Sequence, residues 1–513
     1  MNYNQAISPV DGSADFLATI KRNSYYLMAE RVICPIINFL VTIFIIRKLS
    51  IENFGIYSIL LALMTYIGLI SALGLPDIFQ RFIPEFYQKR QLHSLSQLIY
   101  RGLLARFIFS LVLVLILVIF SGTIEKIFKI EYALNYLTFF SIAIIFGLAS
   151  GLLSIALTSS LRNKEYAASQ ISYTIFRAII LFFIIESSGS LSGLLIGESL
   201  AFVFLALLQV YFVSKFKLPK AIQSKLQLPI RRLIRFGGYS YFNDVGAQIL
   251  SDSSDYFIIS PFLGPGQVGI YAFAFKIMEF VSRVLPHTML SKIIRPVFFT
   301  KYAKNADLSL INKMFNFHLK IIAIFSFPLV TLVLIFKEKL IMYMFDPKYL
   351  ESSKILLIVA SFTAINFLIE PVGLVLQSLE KVHVLLVSKI FVVYNLLAAF
   401  IVIKKWGIIG VAYATCTAVL FKNIFCYFFA KKYARLRPDY KMLGKMILNS
   451  LLMGTIALFL KSQVKDLISF ILIIMLAIFI YLLFSYFNNA FSDQEKKFIM
   501  SFLPKRFNFL RSL

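Results

Sequence analysis

The sequence predicts an all-α, polytopic membrane protein of about fourteen transmembrane helices, arranged as two six-helix lobes in parallel pseudo-repeat plus two extra C-terminal helices. Three observations predict it. The 513 residues are 59% hydrophobic with a mean hydropathy of +0.82. The apolar residues fall in successive stretches of membrane-spanning length. Short signatures recur at a nearly constant offset.

Only 15% of the residues are charged, where a soluble chain of this length carries roughly 25%. The 54 Phe and 26 Tyr suit a lipid-facing surface with interfacial anchors. Residues 1 to 20 are mostly polar, and the apolar stretch from Ser24 is too long for a signal-peptide core and lacks a small-residue cleavage site, so it is expected to stay as helix one. Spanning segments are expected near 24–46, 54–75, 98–120, 136–158, 167–186, 193–213, 236–258, 268–290, 315–336, 355–376, 384–403, 407–430, 442–460 and 467–487.

Lys and Arg alternate between loops, with roughly thirty on one side of the membrane and roughly a dozen on the other. Seven lie between Lys215 and Arg235 and six between Lys431 and Lys445, while the loops after helices five and seven have none. This places both termini in the cytoplasm. The lone Trp406 then falls at the outer interface. The formal charge of +27 sits between apolar segments, so it points to anionic lipid and away from nucleic acid.

The repeat begins with Phe54-Gly55-Ile56-Tyr57 and Val268-Gly269-Ile270-Tyr271, 214 residues apart. Ser159-Ser160-Leu161 pairs with Gln377-Ser378-Leu379, and the stretch Gly193 to Gly197 pairs with Gly407 to Gly410. Three matches in the same order mark a duplication. Six helices per copy keep the orientation, which implies an axis along the membrane normal and a cavity between lobes. The expected divisions are an N-lobe at 1–214, a basic cytoplasmic linker at 215–235, a C-lobe at 236–431, and two helices with a basic tail at 432–513.

A charge at the bilayer centre costs roughly 2.5–3.5 kcal/mol on insertion scales, so each one calls for a reason. In helix seven Asp244, Gln248, Ser251 and Asp255 follow i, i+4, i+7, i+11 spacing, with Asp252 on the flank. Such a stripe lines a polar cavity or couples an ion; interhelical glue is the alternative. In helix eight Lys276, Glu279 and Arg283 share a face, either to meet substrate or as a self-contained ladder. Arg31 and Arg177 have no opposite charge three or four residues away; Glu30 adjoins Arg31 on another face. They are expected to grip an anion, with an interlobe bridge to Asp244 or Asp255 as the rival. Arg106, Lys320 and Lys389 are attributed to snorkelling.

No Walker A pattern is present, the four histidines are scattered, and the three cysteines form neither a disulfide framework nor a metal spacing. No extracytoplasmic loop is long enough for an external domain, which counts against a membrane glycosyltransferase or polymerase. A transporter without cofactor is expected.

Several stretches resemble a known family. Arg47 to Tyr57 looks like an R-x-L-G-x-x-x-F-G-x-Y signature, with Ser50 where glycine is usual. Gly74-Leu75-Pro76 followed by Arg81, Asp255 after two serines, Leu263-Gly264 and Gly407 to Gly410 resemble its other marks. The sequence resembles the polysaccharide flippase family, the Wzx-type translocases of the multidrug/oligosaccharidyl-lipid/polysaccharide exporter superfamily, across helices one to twelve. The resemblance implies a MATE-like fold in a bacterial inner membrane. It also implies outward movement of an undecaprenyl-pyrophosphate-linked oligosaccharide by alternating access, with membrane lipids and a polysaccharide polymerase as partners. A multidrug antiporter of the same superfamily is the nearest rival, and an acidic cavity would favour it.

Overall fold

Long apolar runs in a medium without water leave the backbone one economical choice, the helix. The computed structural model describes residues 13–216, 228–284, 308–369, 371–379 and 381–488; it shows helices joined by short turns and no strand among them. The helices are α1 (Ser13–Lys48), α2 (Ile51–Ile70), α3 (Leu75–Gln88), α4 (Leu92–Ile119), α5 (Ser121–Phe128), α6 (Ala133–Ser159), α7 (Asn163–Ser188), α8 (Leu191–Ser214) and α9 (Ile230–Ile249). They continue with α10 (Asp252–Leu263), α11 (Pro265–Val284), α12 (Leu308–Met344), α13 (Ser353–Ile369), α14 (Pro371–Ser378), α15 (Val382–Val387), α16 (Phe391–Ala434), α17 (Tyr440–Leu460) and α18 (Leu467–Phe487).

Eleven segments among the described residues are long and apolar enough to cross a membrane. One of them, His383–Ala434, holds two of the expected helices, because Gly407 (φ 56°, ψ −145°) breaks α16 into two arms. The expected seventh and eighth helices are not among the eleven. The expected span 236–258 is not one helix: Ser251 is extended (φ −87°, ψ 159°), and the chain restarts as α10. The local chemistry explains the break. The Ser251 hydroxyl donates to the Gln248 carbonyl at 2.6 Å, and Ser254 donates to the carbonyls of Ile249 and Ser251 at 2.8 and 2.7 Å. These serines satisfy backbone groups that a continuous helix would have paired itself.

The outward faces are apolar. Phe459, Tyr25 and Ile401 are 83%, 76% and 71% exposed, and most of α18 is uncovered by protein. A monomer in water does not expose a continuous belt of this kind; lipid is the solvent that suits it. Trp406 is exposed at the end of the first arm of α16, as an interfacial ring should be.

The chain forms two compact units, Met1–Gly269 and Ile270–Leu513. The first takes in α9 and α10 in addition to the six-helix lobe expected at 1–214. In it α3 is amphipathic, burying Ile78, Phe79, Phe82, Ile83 and Phe86 against α4, α6 and Leu233 of α9. Its polar edge stays outside. Gly74 starts this helix at φ 72°, and a Cβ there would run into the Gly237 carbonyl oxygen. Glycine thus serves both the left-handed turn and the close approach of α9.

Residues Pro265 to Gly269, at the start of the second signature, pack within this unit against the first. A Cβ on Gly55 would run into the Pro265 carbonyl oxygen, and one on Gly269 into that of Ile51. The first turns of α2 and α11 therefore cross with no room for a side chain.

In the second unit α12, α17 and α18 share a core around Phe336, Met446, Met453 and Phe470. A separate cluster joins α12 to α14 and the end of α16. Asn312 and Asn316 of α12 accept from the backbone N–H groups of Arg437 and Asp439, both at 2.8 Å. These two amides fix the turn from α16 into α17.

Candidate functional site

The polar centre of the first unit is built on four helices. Arg177 of α7 donates through Nε to Glu198 Oε2 at 2.8 Å and through Nη2 to Glu198 Oε1, a bidentate fork on the one charged residue of α8. Nη1 donates to Asn38 Oδ1 of α1 at 3.0 Å. Tyr57 of α2 donates its hydroxyl to Glu198 Oε1 at 2.7 Å. Glu198 is 2% exposed, so this pair is taken from solvent. A carboxylate there is tolerable because charge-assisted bonds occupy both oxygens.

This constellation gives the family signature a physical role. Tyr57 closes the Phe54-Gly55-Ile56-Tyr57 motif, and its ring reaches the carboxylate that anchors Arg177. Sequence reasoning missed Glu198 and Asn38. A signal existed, since Glu198 is a lone acid in an otherwise uncharged 24-residue helix. The partner of Arg177 comes from its own unit, 21 residues along the chain, and not from Asp244 or Asp255.

About three turns further along α8, Gln209 is fully buried and donates to Ser154 at 2.8 Å, which also accepts from Gln170 at 3.1 Å. Arg106 does not snorkel. It is 8% exposed and donates to the Gly68 carbonyl at 2.6 Å, placing a cation on the last turn of α2, where the free carbonyls and the helix dipole favour one.

The remaining predicted residues are dispersed. Arg31 of α1 is half-buried and makes no ion pair among the described residues; Glu30 is half-buried beside it. Asp244 is exposed on α9, whereas Asp255 is fully buried in α10. The break at Ser251 means that Asp244, Gln248, Ser251 and Asp255 do not share one helical stripe. Gln248 donates to Ser251 at 2.9 Å, and Asp252 accepts from Tyr256 at 2.8 Å. Lys276 pairs with Glu279 at 2.8 Å, both nearly half exposed. Arg283 lies in α11, but its side chain is outside the described residues.

A second polar cluster joins α3 to α9. Glu85 accepts from Arg232 at 2.8 and 3.0 Å and from Lys89 at 2.7 Å. The bonds from Arg232, then those from Lys89, hold its carboxyl down at about 2, far below the ordinary range. It stays ionised at every physiological pH, and Arg232 stays clamped. The Arg232 guanidinium also lies 4.9 Å from the centre of the Phe82 ring.

Helices of spanning length, apolar outward faces and a buried ion pair define a multi-pass membrane protein. The fold is shared with solved transporters. An inward closed structure of the lipid II flippase MurJ matches at TM-score 0.68 and 19% identity, over 91% of this chain and 98% of that one. An inward-facing multidrug resistance MATE family transporter of the MOP superfamily matches at TM-score 0.61 and 15% identity, over 79% and 98%. The family model described as polysaccharide biosynthesis protein matches residues 20–301, and the chain belongs to that family.

Among curated proteins, a probable low-salt glycan biosynthesis flippase of Haloferax volcanii is 22% identical over 453 residues, 87% of this chain and 90% of that protein. An uncharacterized membrane protein of Methanocaldococcus jannaschii is 23% identical over 476 residues, 88% and 90%. The recognition drawn from the signatures holds at the level of the polysaccharide biosynthesis family, with the fold of the solved flippase and MATE structures.

Proposed function

We propose that the chain translocates a lipid-linked oligosaccharide, carried on undecaprenyl pyrophosphate, across a bacterial inner membrane by alternating access for surface polysaccharide assembly. The observation that supports this most is Arg31: a half-buried guanidinium, deep in a spanning helix, with no carboxylate paired to it among the described residues. Unpaired charge in a membrane helix favours a ligand of opposite sign, and a planar fork suits a pyrophosphate. Lys276 and Arg283 complete the proposed substrate contacts, with Glu30, Asp244, Gln248, Ser251, Asp252, Asp255 and Glu279 proposed for the polar walls or ion coupling.

A diphosphate carries roughly two negative charges, and an inside-negative potential favours moving each outward by about 2.3 kcal/mol per 100 mV. Proteoliposomes holding the purified protein and a short-chain lipid-pyrophosphate sugar test the mechanism. Translocation should rise with the imposed potential and need no ATP. Arg31→Ala should abolish it with the protein still in the membrane, and Arg31→Lys should restore part. A rate indifferent to Arg31 and to potential would sink the proposal.

A second reading, an organic-cation antiporter, draws on the MATE-type fold and the buried Asp255. Uptake of a cationic dye that depends on Asp255, with no movement of the lipid-sugar, would establish it instead. Orientation is tested separately. Reporter fusions after Ser188 and Gly264 should read external and one after Lys225 internal; internal signals at both outer loops would overturn the proposed topology.

A further inference from the structure

We propose that the arginine-lined groove between α3 and the start of α9 binds the phosphate headgroup of a lipid. The groove holds about 790 Å³ and is lined by Arg81, Phe82, Arg231, Arg232, Arg235 and Phe236. Four of these lining residues are arginines, and Glu85 beside them is already taken by Arg232, Lys89 and Arg81.

Arg231 and Arg235 carry the argument. They stand one turn apart on α9, where like charges repel, and neither makes an ion pair among the described residues. An arrangement that gathers unneutralised guanidinium groups is stabilised by an anion.

The anion is a lipid's because of what adjoins the charges. Helix α3 runs directly between the spans α2 and α4, which holds the groove at the membrane edge. Phe82 and Phe236 meet edge to face with ring centres 5.7 Å apart, an apolar floor beside the cations. A headgroup would meet the arginines while the first carbons of its chain lie on the rings. Arg232, fixed by Glu85 and stacked on Phe82, sets the rigid wall. This inference needs only a membrane-embedded fold and stands apart from the translocation reading. The headgroup could be that of a polyprenyl pyrophosphate carrier or of an anionic phospholipid.

The test uses the full-length protein in a neutral detergent with a fluorescent short-chain polyprenyl pyrophosphate as probe. Saturable binding is expected, weakened by about tenfold or more in Arg231→Gln/Arg235→Gln, since each lost bond to a charged group weighs that much. Both side chains lack ion-pair partners, so the variant should melt as the parent does; if it does not fold, Arg231→Lys/Arg235→Lys should show an intermediate loss. Displacement by excess phosphatidylglycerol identifies a phospholipid site, and resistance to it identifies the carrier headgroup. Unchanged affinity in both double variants overturns the proposal, as does displacement by inorganic pyrophosphate at the same concentration as the lipid.

Discussion

Replacing Glu198 with Ala should cost about 3–5 kcal/mol of stability, because it leaves the Arg177 guanidinium buried without its counter-charge. The pair is bidentate, Glu198 is 2% exposed, Tyr57 donates to the carboxylate, and Asn38 accepts from the guanidinium. Three buried free thiols, Cys34, Cys416 and Cys426, allow a direct measurement: a thiol-reactive dye in detergent reports unfolding as they become accessible. Arg177→Ala should behave similarly. The double replacement Arg177→Met with Glu198→Leu should recover most of the loss, since a well-packed apolar pair of similar volume is often as stable as a buried ion pair. A Glu198→Ala protein as stable as the parent would show that the pair is not closed to water. The double variant also separates two roles for Arg177. If it is stable and transports, Arg177 is a positioning residue; if it is stable and inactive, the guanidinium meets the anion itself.

The second large effect is expected at the crossing of the two signatures. Gly55→Ala should destabilise the protein by about 1–3 kcal/mol, the usual cost of overpacking, or drive the first turns of α2 and α11 apart. The obstacle is backbone: the added carbon would meet the Pro265 carbonyl, which cannot rotate away as a side-chain tip could. Gly269→Ala meets the Ile51 carbonyl and should act in the same direction. Gly266→Ala is the control, because nothing lies within 4 Å of its Cβ position. If all three melt alike in the thiol assay, the crossing is looser than the geometry indicates.

The glycines in these signatures show how a motif can be visible without its reason. Their spacing marked a duplication, but their purpose is a contact between residues more than two hundred positions apart. The same limit applies to Glu85 and Arg232, which no helical spacing could have brought together. Arg106 shows the opposite error: its position near a helix end fitted snorkelling, yet a carbonyl of α2 lay within its reach.

The sequence by itself determined the solvent, the helical class and the family. Each of these follows from local quantities: apolar length against bilayer thickness, the need to close backbone hydrogen bonds within a segment, and short signatures. Tertiary structure decided which charges are spent on one another. Arg177 seemed unpaired because only its own helix could be searched; the carboxylate that holds it lies on the next helix, facing it across a packed interface. The break at Ser251 belongs to the same class. A period of 3.6 is blind to a serine that bonds its own backbone, so the polar stripe of helix seven was legible as residues but not as a surface.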